Sequence, residues 1–490
     1  MRIARARSLA RWVTLCSAVR HVGSSSSLST VAPWTQIRAA AGPPPPARLF
    51  DEAERLFGAT KPEIVFWRDS AGWCPFCEMT WLVLEAMRLP YKVRTVPLRR
   101  YMLDGEQKDP EYTSMVGPDG VVPGLQFWSE DTRSFNPAVQ SIERIFDELR
   151  CRYPSRFPEC DAYVRSRACE GDGSIFGRLR VARRSYEACA GANSSDLSEL
   201  TPLASALADL DCMLAASEPP DARADRQWWL DGACASPSVA DLMLLPLLER
   251  TAAVVPYFYG GGVLTRDLPF GRAAAYLERA RLHHAAYAAL CSDATTLART
   301  NLRYAQAGAT PRYGVPSLVV DVTAAAHIDG TDTTTCDTWA AEATVEARRD
   351  AATRLARRPS RIASFARRCV PGAVIEDGTE EALDGALDGA LRAAAALLLR
   401  PRTMAGASAV AEARQEALAM AAALQHEYGS DAAAEAAAAL VALSVNVGVP
   451  RDMSVHAAQA LRSHVRMVAD ALDAARAEDT VAMMYQGGRV

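Results

Sequence analysis

No apolar run in these 490 residues approaches the ~18 consecutive residues that a membrane-spanning helix needs. There is no basic excess either. The formal net charge is −4, so the chain lacks the electrostatic footprint of a nucleic-acid binder. The 12 cysteines show no dense, regular spacing. That excludes a disulfide framework of the secreted kind and fits free thiols in a reducing compartment. Residues 1–50 contain no Asp, Glu or Lys. They carry Arg2, Arg5, Arg7, Arg11 and Arg20, then Ser24 to Ser27. An Arg-rich, Ser-rich, acid-free start has the composition of an organellar transit peptide. The basic, amphipathic first part suits a mitochondrial matrix address, and the Ser-rich continuation suits a plastid stroma. The alternative is a disordered cytoplasmic tail. Pro43 to Pro46 break the chain, and folded structure is expected from Leu49 or Phe50.

The stretch that organises the rest is Trp73-Cys74-Pro75-Phe76-Cys77. It follows Glu63 to Trp67, an apolar run that reads as a strand. It opens a segment to Arg88 with Trp81, Leu82, Leu84 and Met87 at helical spacing. Pro75 suits the first helical position, where its missing N–H would have no partner anyway. Cys74 therefore sits at the positive end of a helix, beside unpaired backbone donors that favour a thiolate. Such settings bring a thiol from near ~8.5 down to roughly 3.5–7.5. A zinc site would need a second ligand pair at suitable spacing. The remaining cysteines are scattered, so no metal is assigned. Cys77 lies one turn into the helix, either as a resolving thiol or as a packed, inert residue.

Around this motif, residues 51–150 read as one small α/β domain. A strand at Tyr91 to Val96 follows the helix, and Leu125–Trp128 with Thr132–Phe135 read as an antiparallel hairpin. Asn136-Pro137 carry an N-cap signature, so a helix is expected from there. Its apolar residues Val139, Ile142, Ile145, Phe146 and Leu149 share one face.

The order βαβ then ββα, with a thiol at the first helix and Val122-Pro123 before the third strand, resembles the thioredoxin-like half of glutathione transferases. That resemblance implies a cis Pro123 and a Val122 backbone that pairs with the cysteinyl part of glutathione. Trp73, Pro75, Phe76, Val122, Pro123 and Asn136 are then the candidate glutathione contacts, with Cys74 and Cys77 as the catalytic thiols. One departure stands out. The family places a Glu/Gln-Ser pair at the start of the helix after the hairpin. Here Gln140-Ser141 falls about one turn inside the expected helix, and serves only if that helix starts later.

Residues 151–300 read as an all-helical domain. Ser238-x-x-Asp241 forms a capping box before the apolar run 242–248. Ser238 Oγ is expected to accept from the backbone N–H of the third helical residue, with Asp241 returning to the cap N–H. The box lies in a setting that resembles the buried helix of the glutathione transferase C-terminal domain. Its removal is expected to cost roughly 1 kcal/mol or more. Tyr257, Phe258 and Tyr259 suit either the substrate pocket or the core, and Gly260 to Gly262 a loop. His283-His284 face different directions and read as packed or solvated.

Residues 301–339 read as a linker. Residues 340–490 are Ala-rich and helical, in the manner of a small bundle. The basic run Arg348 to Arg368 reads as a solvated helix face. Val449-Pro450-Arg451-Asp452-Met453-Ser454 resembles the C-terminal extension of glutathione transferase-like proteins of plants and algae, without indicating a role.

The resemblance implies glutathione as cosubstrate and a mixed disulfide at Cys74, as in the omega, lambda and dehydroascorbate reductase groups. The other substrate is a small electrophile or disulfide. Alternatives are a dithiol oxidoreductase of glutaredoxin type and a non-catalytic interaction module of the same fold. Relatives often dimerise through the thioredoxin-like domain, but no interface signature is visible here.

Overall fold

The structure is a computed structural model. It describes residues 31–43, 45–97, 109–117, 120–189, 201–218, 229–232, 234–259, 271–297, 300, 333–370, 380–401 and 406–487. The first element, helix α1 (Trp34–Ala41), already departs from expectation. Val31 and Ile37 are buried in the core of the C-terminal bundle. Trp34 Nε1 donates to Asp388 at 2.8 Å, and Arg38 Nε donates to the Ala356 carbonyl at 2.9 Å. Folded structure thus begins upstream of Leu49. Residues 31–41 are packed on the bundle rather than part of a tail. The Arg-rich residues 1–30 lie outside the described residues.

The α/β domain runs β1 (Glu54–Arg55), β2 (Ile64–Asp69), α2 (Pro75–Met87), β3 (Tyr91–Val96), α3 (Pro110–Val116), β4 (Gly124–Ser129), β5 (Ser134–Phe135), β6 (Val139–Gln140) and α4 (Ile142–Arg152). The strand order is β1-β3-β2-β4-β5, with β6 also on β4. β2 pairs parallel with β3 and antiparallel with β4. Every residue of β2 is buried, as befits a central strand covered on both faces. This is the thioredoxin-like arrangement. Residue Arg88 ends α2 in the left-handed region at φ 51°.

The second unit is all-helical: α5 (Ala162–Ala168), α6 (Ile175–Cys189), α7 (Thr201–Ser217), α8 (Val239–Tyr259), α9 (Gly271–His283) and α10 (Ala285–Leu290). One hydrophobic core runs from Phe50 through the sheet into these helices. At its centre α8 is buried all round from Val239 to Leu248. Asp241 anchors its start. Its carboxylate accepts from Leu230 N (2.9 Å), Ser238 N (2.8 Å), Ser238 Oγ (2.7 Å) and the Tyr276 hydroxyl (2.7 Å). The return to the cap N–H is as expected. The serine differs: its hydroxyl donates to Asp241. Helix α8 continues through Tyr259, and the side chains of Tyr257, Phe258 and Tyr259 lie outside the described residues, as do Gly260 to Gly262. His284 is a packed cap, accepting from Tyr287 N through Nδ1 at 3.0 Å.

The third unit is a bundle of α11 (Thr333–Glu342), α12 (Val345–Arg357), α13 (Pro359–Arg368), α14 (Glu380–Leu399), α15 (Ala407–Tyr428), α16 (Ser430–Asn446) and α17 (Val455–Gly487). Residues 333–339, expected as linker, are helical, whereas 301–332 lie outside the described residues. Small residues let the helices approach: Ala386, Ala390, Ala393, Ala394 and Ala395 of α14 are fully buried. The expectation of a solvated basic face fails at Arg348. It is buried and donates to the carbonyls of Leu398 (3.2 Å) and Arg400 (2.8 Å), closing the C-terminus of α14. No described helix is long and apolar enough to cross a membrane.

Candidate functional site

Cys74 is the N-cap residue of α2, with Pro75 at the first helical position. No side chain caps this helix. Cys74 is half-buried, and Cys77 is buried at 2% exposure. The neighbouring Cys77 thiol lowers the Cys74 pKa below that of an ordinary thiol. The backbone N–H groups of Cys77 and Phe76 act in the same direction, against burial and the nearby Asp69 carboxylate. Cys77 moves the other way. Burial pushes its thiol well up, and the neighbouring Cys74 adds to the shift. The pair is therefore asymmetric: a half-exposed thiol with a lowered pKa beside a buried thiol with a raised one.

Sequence reasoning missed the groups beneath this pair. Asp69 ends β2, fully buried, and accepts from Trp73 N at 2.7 Å. Burial raises its pKa. A ligand-type atom from each of Asp69, Cys74 and Cys77 lies within 4.8 Å of the others, so Asp69 adds a third donor that cysteine spacing alone did not suggest. The group stops at three among the described residues. One turn along α2, buried Glu78 accepts from Arg250 of α8 at 2.8 Å. Arg250 also reaches Glu249 (3.4 Å) and the Trp73 carbonyl (3.1 Å). Two buried carboxylates share one guanidinium, and burial pushes Glu78 up to about 8. Arg250 thus ties the helical unit to the residue preceding Cys74.

The facing wall comes from the sheet. The Val122–Pro123 peptide is cis. The Val122 carbonyl lies 3.9 Å from Cys74 Sγ. Tyr112 of α3 donates to the Val121 carbonyl at 2.5 Å, and Gln140 Nε2 donates to the same carbonyl at 2.7 Å. Here the sequence expectation needs correcting. Asn136 is not an N-cap, and α4 starts at Ile142. Residues 139–140 pair with Gly124 and Leu125 as β6, so this segment stays extended. Asn136 N donates to the Phe127 carbonyl at 2.9 Å, and the Asn136 carbonyl accepts from Gln126 at 3.1 Å. Ser141 is the true N-cap, exposed at φ 67°, and it accepts from Arg144 N at 3.3 Å. With the later start, Gln140-Ser141 lies at the helix N-terminus, where donors and dipole favour a carboxylate.

Trp73 and Phe76 flank Cys74, both half-buried, and Pro75 is buried. The indole of Trp73 donates to the Val449 carbonyl at 3.2 Å. The Arg451 guanidinium lies 5.1 Å from the ring centroid. The Val449–Arg451 segment, between α16 and α17, is thus a neighbour of the thiol site.

No curated protein matches the chain. Among solved structures, glutathione transferase Omega 1C from Trametes versicolor is 14% identical over 49% of this chain and 95% of its own, with a TM-score of 0.33. Dehydroascorbate reductase from Chlamydomonas reinhardtii is 17% identical over 45% and 98%, with a TM-score of 0.30. A Tau class glutathione S-transferase from mango, Mangifera indica, is 12% identical over 49% and 96%, with a TM-score of 0.35. Residues 73–148, which take in Cys74, Cys77, Val122-Pro123 and Gln140-Ser141, match the family model of the glutathione S-transferase N-terminal domain.

Proposed function

We propose that this chain is a glutathione-dependent thiol–disulfide transferase that works through a mixed disulfide at Cys74. The observation that carries the reading is the asymmetric pair at the start of α2: a half-exposed Cys74 with a lowered pKa, beside a buried Cys77 with a raised one. A thiolate at a helix N-terminus is a nucleophile at neutral pH. Cys74 S⁻ attacks the glutathione sulfur of a mixed disulfide R–S–SG. The Cys74–SG bond forms, the S–S bond of RS–SG breaks, and RS⁻ leaves to take a proton from solvent. Glutathione thiolate then attacks Cys74–SG. This releases glutathione disulfide and regenerates the Cys74 thiolate.

The surrounding groups suit the tripeptide. The Val122 backbone beside Cys74 offers hydrogen-bonding groups to the cysteinyl part. The N-terminus of α4, with Ser141 exposed, offers donors to the γ-glutamyl carboxylate. No metal enters this scheme. In the dithiol alternative Cys77 performs the second displacement, closing a Cys74–Cys77 disulfide and releasing glutathione. Its position next to the Cys74 sulfur favours that route over a merely packed role. The organellar address of residues 1–30, plastid stroma or mitochondrial matrix, belongs to the same proposal and is tested by a fluorescent fusion of that segment.

The test is turnover of a glutathionylated peptide with reduced glutathione by the full chain. Cys74→Ser should remove it, and mass spectrometry should find one glutathione on Cys74 of the wild type after exposure to glutathione disulfide. Cys77→Ser retains turnover if the mechanism is monothiol and loses it if dithiol. Retention of activity by Cys74→Ser would overturn the reading.

A further inference from the structure

The distinctive run at residues 447–452 has no part in the chemistry above, yet the fold brings it to the residue preceding Cys74. Three units meet there. From the bundle, the Val449 carbonyl accepts from Trp73 Nε1 (3.2 Å), and the Arg451 guanidinium lies over the Trp73 ring. From the helical unit, Ser292 Oγ donates to the same Val449 carbonyl at 2.6 Å, and Thr296 Oγ1 accepts from Val449 N at 3.1 Å. From the α/β domain, Arg48 donates to the carbonyls of Pro450 (2.6 Å) and Arg451 (3.1 Å). Arg354 of α12 holds the Asp452 carbonyl at 2.7 Å. Arg462 of α17 forms a buried ion pair with Asp293 and also donates to the Val447 carbonyl. Breaking one partner of such a buried pair is costly, so the loop is held from below.

The facing surfaces are cut to fit. A Cβ on Gly448 would meet Trp73 Cζ2 at 2.8 Å. A Cβ on Gly72 would meet Phe50 at 2.6 Å and Pro450 at 3.1 Å. Neither site has room for a side chain, so each segment leaves space for the other. Trp73 is consequently fixed at three points: its N–H by Asp69, its carbonyl by Arg250 and its indole by Val449. Each comes from a different unit. The first turn that follows supplies the N–H groups that stabilise the Cys74 thiolate.

We propose that the loop 447–452 of the C-terminal bundle is a positioning element of the Cys74 site, holding Trp73 and with it the first turn of α2. The bundle is then a working part of the thiol centre, and Cys74 reactivity depends on its docking. This deepens the thiol-transferase reading, but its test needs no glutathione.

The experiment compares full-length wild type, Ser292→Ala, Arg451→Ala and Arg451→Lys. Hydrogen exchange reports the docking of residues 445–455 and the order of 70–80. Iodoacetamide alkylation of Cys74, followed by mass spectrometry at pH 7 and pH 10, reports the thiolate fraction. In Ser292→Ala and Arg451→Ala, exchange should rise in both segments. Alkylation at pH 7 should slow by about threefold or more relative to pH 10, since tenfold corresponds to one pKa unit. Arg451→Lys keeps a cation over the ring and should recover most of the rate. Faster loop exchange with an unchanged pH 7 to pH 10 ratio would overturn the proposal. So would unchanged loop exchange in both alanine variants. If the wild type transfers no glutathione but its alkylation tracks loop docking, the transferase reading fails while the positioning role stands.

Discussion

Helices α8 and α2 both begin deep in the protein, but their first turns are finished differently. At α8 the Asp241 carboxylate accepts from two backbone N–H groups and two hydroxyls, and the residue is fully buried. At α2 no side-chain cap is present, and the N–H groups of Phe76 and Cys77 act on a half-exposed sulfur. A saturated polar group in the core fixes structure. An unsaturated helix start with a thiol keeps its electrostatic favour for an incoming anion or for its own thiolate. The same helix-terminus physics therefore fixes structure in one unit and, in the other, leaves room for the thiol chemistry proposed above.

The strongest way to break this contrast is to swap consequences. Cys74→Ser should abolish glutathione transfer while leaving the urea midpoint close to wild type. Asp241→Ala should do the reverse. It orphans Leu230 N, Ser238 N and the Tyr276 hydroxyl. At ~1–3 kcal/mol for each buried unsatisfied group, the loss should reach about 3 kcal/mol or more. That exceeds the cost of a simple cap, because the sequence motif reveals only the serine and not Leu230 or Tyr276. The alkylation of Cys74 in still-folded Asp241→Ala should be unchanged. A slowed alkylation would show that the two helix starts are not independent.

Glu78 sharpens the contrast through pH. Burial pushes it up to about 8 from an ordinary value of 4.5. The folded protein therefore binds a proton that the unfolded chain releases between those values. Its contribution to stability is full below about 4.5 and declines as pH rises toward 8. Urea midpoints at pH 5 and pH 8 should differ in that direction. Glu78→Gln, which keeps an acceptor for Arg250, should flatten the difference.

Smaller still is the effect of Cys77→Ala. It removes the first of the interactions that lower the Cys74 pKa. Alkylation of Cys74 at pH 7 should slow by a few-fold, since one hydrogen bond to an ionised group is worth about 1.5–3 kcal/mol before solvent replaces it. An unchanged rate would assign the stabilisation to the backbone donors alone.

The parts of the site that could be read from sequence were those written locally. Pro75 after Cys74, with Trp81, Leu82, Leu84 and Met87 at helical spacing, gives α2 within a residue of its observed end. Val122-Pro123 was legible through its resemblance to a family pattern, and its cis peptide matches that expectation. The start of α4 was misread because Asn136-Pro137 carries the same capping signature as a real helix start. Pairing of Val139 and Gln140 with β4 overrides it, and no local pattern encodes that pairing. Asp69, Glu78 and Arg250 escaped notice because their partners are set by packing between units; Arg250 and Glu78 are 172 residues apart. The loop at Val449 is 376 residues from Trp73, so its motif was visible but its place was not. Residues 31–41 were read as tail because their burial is supplied by the bundle.

The most direct measurement is the pH dependence of Cys74 alkylation in the full chain, with and without glutathione disulfide. A reactive thiol that titrates below the ordinary value near ~8.5, and that is protected by one glutathione bound as a disulfide at Cys74, is the expected result. A Cys74 that titrates at or above that value and takes up no glutathione would contradict the assignment of this site to thiol transfer.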